Sequence, residues 1–185
     1  MLPEEACHYA THTIKGRCPE LEPIILSNAY CAFCYAKDVI NGRWPEAESV
    51  ILTDPYWVYL YARYVIKGRW PEGESVILNN SYWIYRYARD VVQGRWLEAE
   101  LELIILSDPE SAYDYARDVI QGRWPEIESV ILNDSDCAYW YAINVIEDRW
   151  PEAENIIFGS MFSQDYYDHF GIKLPKEINW SKEGF

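Results

Sequence analysis

The chain has 185 residues, half of them hydrophobic and 16% aromatic, which gives room for one domain with a substantial core and excludes an intrinsically disordered chain. A formal charge of −14 argues against nucleic-acid binding through phosphate neutralisation, and suits instead a basic protein partner or imitation of the charge of DNA. No apolar run approaches the ~20 residues of a membrane span, and Met1-Leu2-Pro3-Glu4-Glu5 lacks the regions of a secretion signal; with five cysteines, an odd number, this predicts reduced thiols and a cytoplasmic location.

The first element is a helical pattern within residues 2–17, stopping at Gly16-Arg17 and followed by Cys18-Pro19-Glu20. The same punctuation returns as Gly42-Arg43 with Trp44-Pro45-Glu46, Gly68-Arg69 with Trp70-Pro71-Glu72, and Gly94-Arg95 with Trp96-Leu97-Glu98. It returns again as Gly122-Arg123 with Trp124-Pro125-Glu126, and as Asp148-Arg149 with Trp150-Pro151-Glu152. The steps are 26, 26, 26, 28 and 26 residues, and the longer step falls in Leu97–Leu106, where a longer second helix is expected. A fixed period of this length marks a repeat architecture.

Each repeat reads as two helices. The longer begins at a capping Asn or Asp (Asn28, Asp54, Asn80, Asp108, Asp134), with proline in the first turn at Pro55 and Pro109. Its apolar residues fall at helical spacing: Ala32, Tyr35, Ala36, Val39, Ile40; then Val58, Tyr61, Ala62, Val65, Ile66; then Ala112, Tyr115, Ala116, Val119, Ile120. It stops at Gly42, Gly68, Gly94 or Gly122, a residue type that tolerates a left-handed C-terminal turn. The shorter helix starts at Pro45, Pro71, Pro125 or Pro151 and carries acidic residues such as Glu46 and Glu48 in its first turn. Two-turn helices need neighbours to hold them. The expected fold is all-α, an α-solenoid of about six 26-residue helix–turn–helix repeats forming one domain over 1–170, with a C-terminal tail at 171–185.

The recurrent Arg, Glu and Trp belong to this scaffold, since a single active site would not need six copies. The arginines are expected to pair with glutamates or cap carbonyls, and the tryptophans to wedge between helices. His8 and His12 stand at i, i+4, but no third ligand lies at a recognised spacing. Cys31 and Cys34 form Cys-x-x-Cys within a helical stripe, without the strand–turn context of a redox motif, and read as core. Asp165, Asp168 and His169 read as solvated capping residues. No phosphate loop, nucleophile elbow or zinc-finger spacing is present, so no enzyme, metal or cofactor is expected.

Function is expected where the copies differ. On the long helices these positions are Tyr30, Cys31, Cys34, Asp38; Tyr56, Trp57, Leu60, Tyr64; Tyr82, Trp83, Arg86, Asp90; Glu110, Ser111, Asp114, Asp118; and Asp136, Cys137, Trp140, Asn144. They share one face offset from the core stripe, aromatic in the third and fourth long helices and acidic in the fifth. That face either packs on the short helices or forms a recognition patch; in the second case Tyr56, Trp57, Leu60, Tyr64, Tyr82, Trp83, Arg86 and Trp140 are the binding residues.

The run Tyr-Ala-Arg-Asp-Val-Ile-Gln-Gly-Arg-Trp-Pro-Glu at 115–126, with relatives throughout 7–158, resembles the repeat of uncharacterised helical-repeat proteins of tailed bacteriophages. The departures are Cys18 for Trp, Leu97 for Pro and Asp148 for Gly. The resemblance implies an intracellular protein acting with or against host machinery, and implies no catalytic residues. The expected function is a non-enzymatic binding protein that sequesters or inhibits a host protein, such as a defence factor. The alternatives are an acidic DNA mimic that blocks a nucleic-acid enzyme, and a sponge that stacks a nucleotide or other small ligand on aromatic rings.

Overall fold

The structure, a computed structural model, describes residues 1–173 apart from the side chains of 102–106; the expected tail lies outside the described residues from 174 onward. Every regular element among the described residues is helical. In chain order the α-helices are α1 Pro3–His8, α2 Glu22–Ile25, α3 Ala29–Tyr35, α4 Pro45–Ile51, α5 Pro55–Tyr61, α6 Pro71–Ile77 and α7 Ser81–Tyr87. They continue as α8 Leu97–Leu106, α9 Pro109–Tyr115, α10 Glu128–Ile131, α11 Ser135–Tyr141, α12 Glu154–Phe158 and α13 Ser163–His169. The ten residues of α8, against seven in α4 and α6, absorb the longer sequence step.

The chain falls into two compact units, Met1–Ser107 and a second that begins at Asp108. In the first, α3 packs on α4 and α5, α5 on α6 and α7, and α7 on α8; in the second, α9 packs on α10 and α11, and α11 on α12. Each unit is thus a series of short helix pairs with a repeating contact pattern, as expected of a helical repeat.

Caps start the long helices as the sequence implies. Asn28 accepts a hydrogen bond from the Cys31 amide, Asp54 from Tyr56, Asn80 from Trp83, and Asp134 from both Asp136 and Cys137. Asp108 is different: its carboxylate accepts from the Ser111 hydroxyl.

Their ends differ from expectation. Each of α1, α3, α5, α7, α9 and α11 runs directly into a π-helical turn: Tyr9–Ile14, Ala36–Ile40, Ala62–Ile66, Ala88–Val92, Ala116–Ile120 and Ala142–Ile146. In the second repeat the Ala36 carbonyl accepts from both the Asn41 and the Gly42 amides, the second at 3.2 Å. The widened turn moves the left-handed residue one place forward, to Lys15, Asn41, Lys67, Gln93, Gln121 and Glu147, with φ between 55° and 61°. The glycine that follows therefore does not supply positive φ, and Asp148 can stand in its place after Glu147, which keeps the left-handed conformation at φ 55°. Size, not φ, fixes Gly73 of α6: a Cβ there would lie 2.6 Å from Val58 Cγ1.

The core is built on the Tyr and Trp of each repeat. Tyr35, Tyr61, Tyr87, Tyr115 and Tyr141 are fully buried, each with its ring 5.0–5.4 Å from the Trp nine residues on. Within each unit these hydroxyls, and that of Tyr166, reach back to the preceding helix pair. Tyr61 Oη accepts from the Trp44 amide at 2.6 Å, Tyr87 from Trp70 at 2.7 Å, Tyr141 from Trp124 at 2.7 Å, and Tyr166 from Trp150 at 2.8 Å. Tyr35 does the same for Cys18, so the hydrogen bond persists where the indole is absent. The amide served lies at the start of the short helix, which has no partner of its own for it. Burial pushes the Tyr141 phenol up to about 12, so it remains a neutral hydroxyl able to donate onward to Glu128.

The arginines pair with glutamates, as expected, and each does so through the same two atoms. Nε and Nη2 of Arg17, Arg43, Arg69, Arg95, Arg123 and Arg149 grip both oxygens of Glu22, Glu48, Glu74, Glu100, Glu128 and Glu154, always five residues on. The buried indole N–H groups of Trp44, Trp70 and Trp150 find no acceptor among the described residues, a cost of about 1–3 kcal/mol each that the area buried by the rings must exceed.

Replacing Tyr61 with Phe keeps the ring and strands the Trp44 amide. Urea unfolding should show a loss of about 1–3 kcal/mol, whereas Tyr56→Phe on the exposed side of the same helix should stay within about 0.5 kcal/mol of the parent; equal effects would show that the hydroxyl has no structural role.

Candidate functional site

On α5, the π-helical turn that continues it, and α7, the positions off the core stripe form an aromatic surface. Tyr56, Tyr64 and Tyr82 are 42%, 42% and 46% exposed, while Trp57, Leu60, Trp83 and Arg86 are half-buried. The tryptophans sit between rings of successive long helices: Trp57 lies 5.9 Å from Tyr30 and 6.0 Å from Phe33, and Trp83 lies 5.7 Å from Tyr56 and 5.6 Å from Tyr59. Each also meets the exposed Tyr beside it edge-on, at 4.6 Å for Tyr56 and 4.9 Å for Tyr82. The indoles are wedges under a surface layer of tyrosines. Cys31 and Ser111, counted with this face from their spacing, are buried instead. They hold the wedge position in their own repeats, where a small side chain lets the neighbouring helices cover it.

Beside the rings lies a cluster that the sequence reading only half identified. Asp90, with its side chain 11% exposed, is held by Arg63 at 2.5 Å and Arg89 at 2.9 Å, with Arg86 at 3.6 Å. The buried Tyr59 hydroxyl also donates to Asp90 and accepts from Arg63 and Arg86. The guanidinium of Arg86 stands over the rings of Tyr59 and Tyr82 at 5.2 and 5.6 Å, and that of Arg63 over Tyr64 at 5.2 Å. Burial alone would raise the Asp90 carboxyl, but the Arg89 and Tyr59 hydrogen bonds and the charges of Arg89 and Arg63 lower it to about 2. Of this cluster the spacing identified Arg86 and Asp90. Tyr59 and Arg63 were missed, and the available signal was Tyr64, which stands where Asp38, Asp90 and Asp118 follow a basic residue in other repeats.

The last predicted binding residue, Trp140, belongs to the second compact unit and a different chemical setting. It is 38% exposed, packs on Tyr139 and Phe162 at 4.8 and 5.5 Å, and lines a cavity of about 560 Å³ with Asp108, Glu110, Asp114, Asp134 and Asp136. Arg117 pairs there with Asp114 at 2.9 Å and Asp118 at 2.6 Å, so carboxylates outnumber cations. Burial pushes the Asp114 carboxyl up, against the pull of Arg117, with Asp118 and Glu110 adding to the rise.

The rings of His8 and His12 stack at 4.2 Å, and no group of three or more His, Cys, Asp or Glu among the described residues is placed to hold a metal. Burial pushes the Cys31 thiol up to about 12 and raises Cys34 as well, which keeps both protonated. Gln164 donates to Asp168 within α13, a local surface hydrogen bond. Among the described residues no helix is long and apolar enough to cross a membrane. No protein-family model, curated protein or solved structure matches the chain.

The depressed Asp90 carboxyl makes a prediction about acid. Its contribution to stability is complete above the unfolded carboxylate value of about 3.9 and is lost as the pH falls through that value towards 2. Asp90→Asn should cost about 1–2 kcal/mol at pH 7, the partly exposed guanidiniums being screened by solvent. Unfolding measured at a series of pH values should show the gap between parent and variant closing between about pH 4 and 2; a gap independent of pH would remove the ion cluster from the stability of the fold.

Proposed function

We propose that this chain is a non-enzymatic binding protein that takes a protein partner on the exposed face of α5 and α7 and thereby sequesters or inhibits it. The observation that carries the reading is the layer of Tyr56, Tyr64 and Tyr82, each more than two-fifths exposed, over half-buried Trp57 and Trp83. Tyrosine, tryptophan and arginine dominate the binding energy of protein interfaces, because they bury a large area while losing few rotamers. Here the rings are already held by neighbouring rings, so little further ordering is needed when a partner arrives. In the phage setting implied by the repeat resemblance, the partner is a host factor such as a defence protein.

Imitation of DNA draws less support. Of the two glutamates that recur in each repeat, the second is gripped by an arginine, which halves the line of free carboxylates that mimicry requires and sets a cation beside the half that remains.

Partners captured from bacterial lysate can be compared between the parent protein and a Trp57→Ala, Trp83→Ala, Tyr82→Ala variant whose helical circular dichroism and cooperative unfolding are retained. A specific partner should be lost or its affinity reduced at least tenfold; unchanged capture by the folded variant would eliminate this face as the binding surface.

A further inference from the structure

We propose that the α5–α7 face selects an acidic segment of its protein partner, seating a carboxylate on Arg63 and Arg86 while an apolar or aromatic neighbour packs on the tyrosine layer. This rests on the binding reading above and specifies the chemistry of what is bound.

The chain has ten arginines, and eight use the Nε–Nη2 fork in the same way. Six close it on the glutamate five residues on, as described above, and Arg89 and Arg117 close it on the aspartate that follows them, Asp90 and Asp118. The remaining two, Arg63 and Arg86, do not. Arg63 bonds to Tyr59 and Asp90 through Nη1, and among the described residues nothing hydrogen-bonds to its Nε or Nη2. Its own following residue is Tyr64, so the carboxylate that closes the fork in Arg89 and Arg117 is missing. Arg86 donates to the Tyr82 and Tyr59 hydroxyls, and its buried Nε has no hydrogen-bond acceptor among the described residues, Asp90 being 3.6 Å away, so Arg86 adds positive charge beside the open fork of Arg63.

Two cations therefore depend on one carboxylate that Arg89 also holds. That carboxylate lies beneath them at 11% exposure, while the Arg63 and Arg86 side chains are 35% and 28% exposed. The more exposed members of the cluster are the arginines, on a chain whose overall charge is −14. Both departures from the repeat shift the sign the same way: Tyr64 removes an aspartate, and Arg86 adds a cation where other repeats carry Cys34, Leu60, Asp114 or Trp140. Stacking on Tyr64 and Tyr82 keeps the guanidinium planes in place, and a planar fork of two N–H donors matches a carboxylate in bidentate geometry. The repeat itself supplies the precedent, since the same atoms bind Glu48 and Glu74 in the scaffold.

The experiment is selection of random displayed peptides on the full chain, followed by fluorescence anisotropy of the enriched sequences against three variants. Tyr64→Asp restores the residue type found in other repeats and should close the Arg63 fork from within; Arg63→Gln removes it; Lys67→Gln removes one positive charge at an exposed position outside the face and leaves the fork open. The selection should enrich peptides with Asp or Glu beside Trp, Leu or Phe. Their affinity should fall at least tenfold with Tyr64→Asp and Arg63→Gln, and change less than threefold with Lys67→Gln. Acidic peptides that bind Tyr64→Asp and Arg63→Gln as well as the parent would overturn the proposal. Enrichment of neutral aromatic peptides that need Trp57 and Trp83 but are indifferent to Tyr64→Asp would also overturn it, leaving the binding face intact. Retention of no peptide would count against both.

Discussion

The hydroxyl of one buried tyrosine holds successive helix pairs together. A helix of about two turns cannot persist alone, and the amide at its entrance has no intrahelical partner. In each unit that amide, on Trp44, Trp70, Trp124 or Trp150, donates to a tyrosine of the next pair, whose ring packs on aromatic side chains of its own pair. One side chain thereby fills the core of its own repeat and caps the preceding one. The Arg–Glu grip at the surface adds geometry more than energy, because the guanidiniums are about half exposed and solvent screens them. Its effect is to fix the loop that presents the tryptophan.

With the interior assigned to this pattern, the remaining positions of the long helices are free to vary, and they vary in sign as well as in shape. In the first unit the face of α5 and α7 is aromatic and cationic around Arg63 and Arg86. In the second, the matching positions include the carboxylates Glu110, Asp114 and Asp136, which line a cavity with Arg117 and Trp140. The scaffold and the proposed recognition share one piece of chemistry, the arginine fork. It is filled where the chain needs rigidity and open where a partner can complete it.

Much of this was legible in the sequence. The 26-residue step, the capping Asn28, Asp54, Asn80 and Asp134, the Ala and Tyr of the core stripe and the arginine partners all follow from local spacing, and local spacing is what a sequence displays directly. The tyrosine hydroxyls were not legible, because an apolar stripe records that a ring is buried and not where its polar end goes. The constant 17-residue interval from Trp44 to Tyr61 and from Trp70 to Tyr87 was the available signal. The π-helical turns moved the left-handed residue from Gly42 to Asn41, and side-chain periodicity does not register one widened turn. At the candidate site, Tyr56, Tyr82 and Arg86 could be identified by comparing copies. The half-burial of Trp57 and Trp83, and the reach of Arg63 to Asp90 across 27 residues, depend on how helices pack and could not be.

Native-state hydrogen exchange at the backbone amides of Trp44, Trp70, Trp124 and Trp150 tests the tyrosine link most directly. These amides precede their short helices and have no intrahelical acceptor, so without the tyrosine hydroxyls they would exchange like frayed helix ends. The structure predicts exchange only through opening that approaches the global unfolding free energy of the unit concerned. Rapid exchange at these four amides in the folded protein, with the helix interiors still protected, would contradict the account.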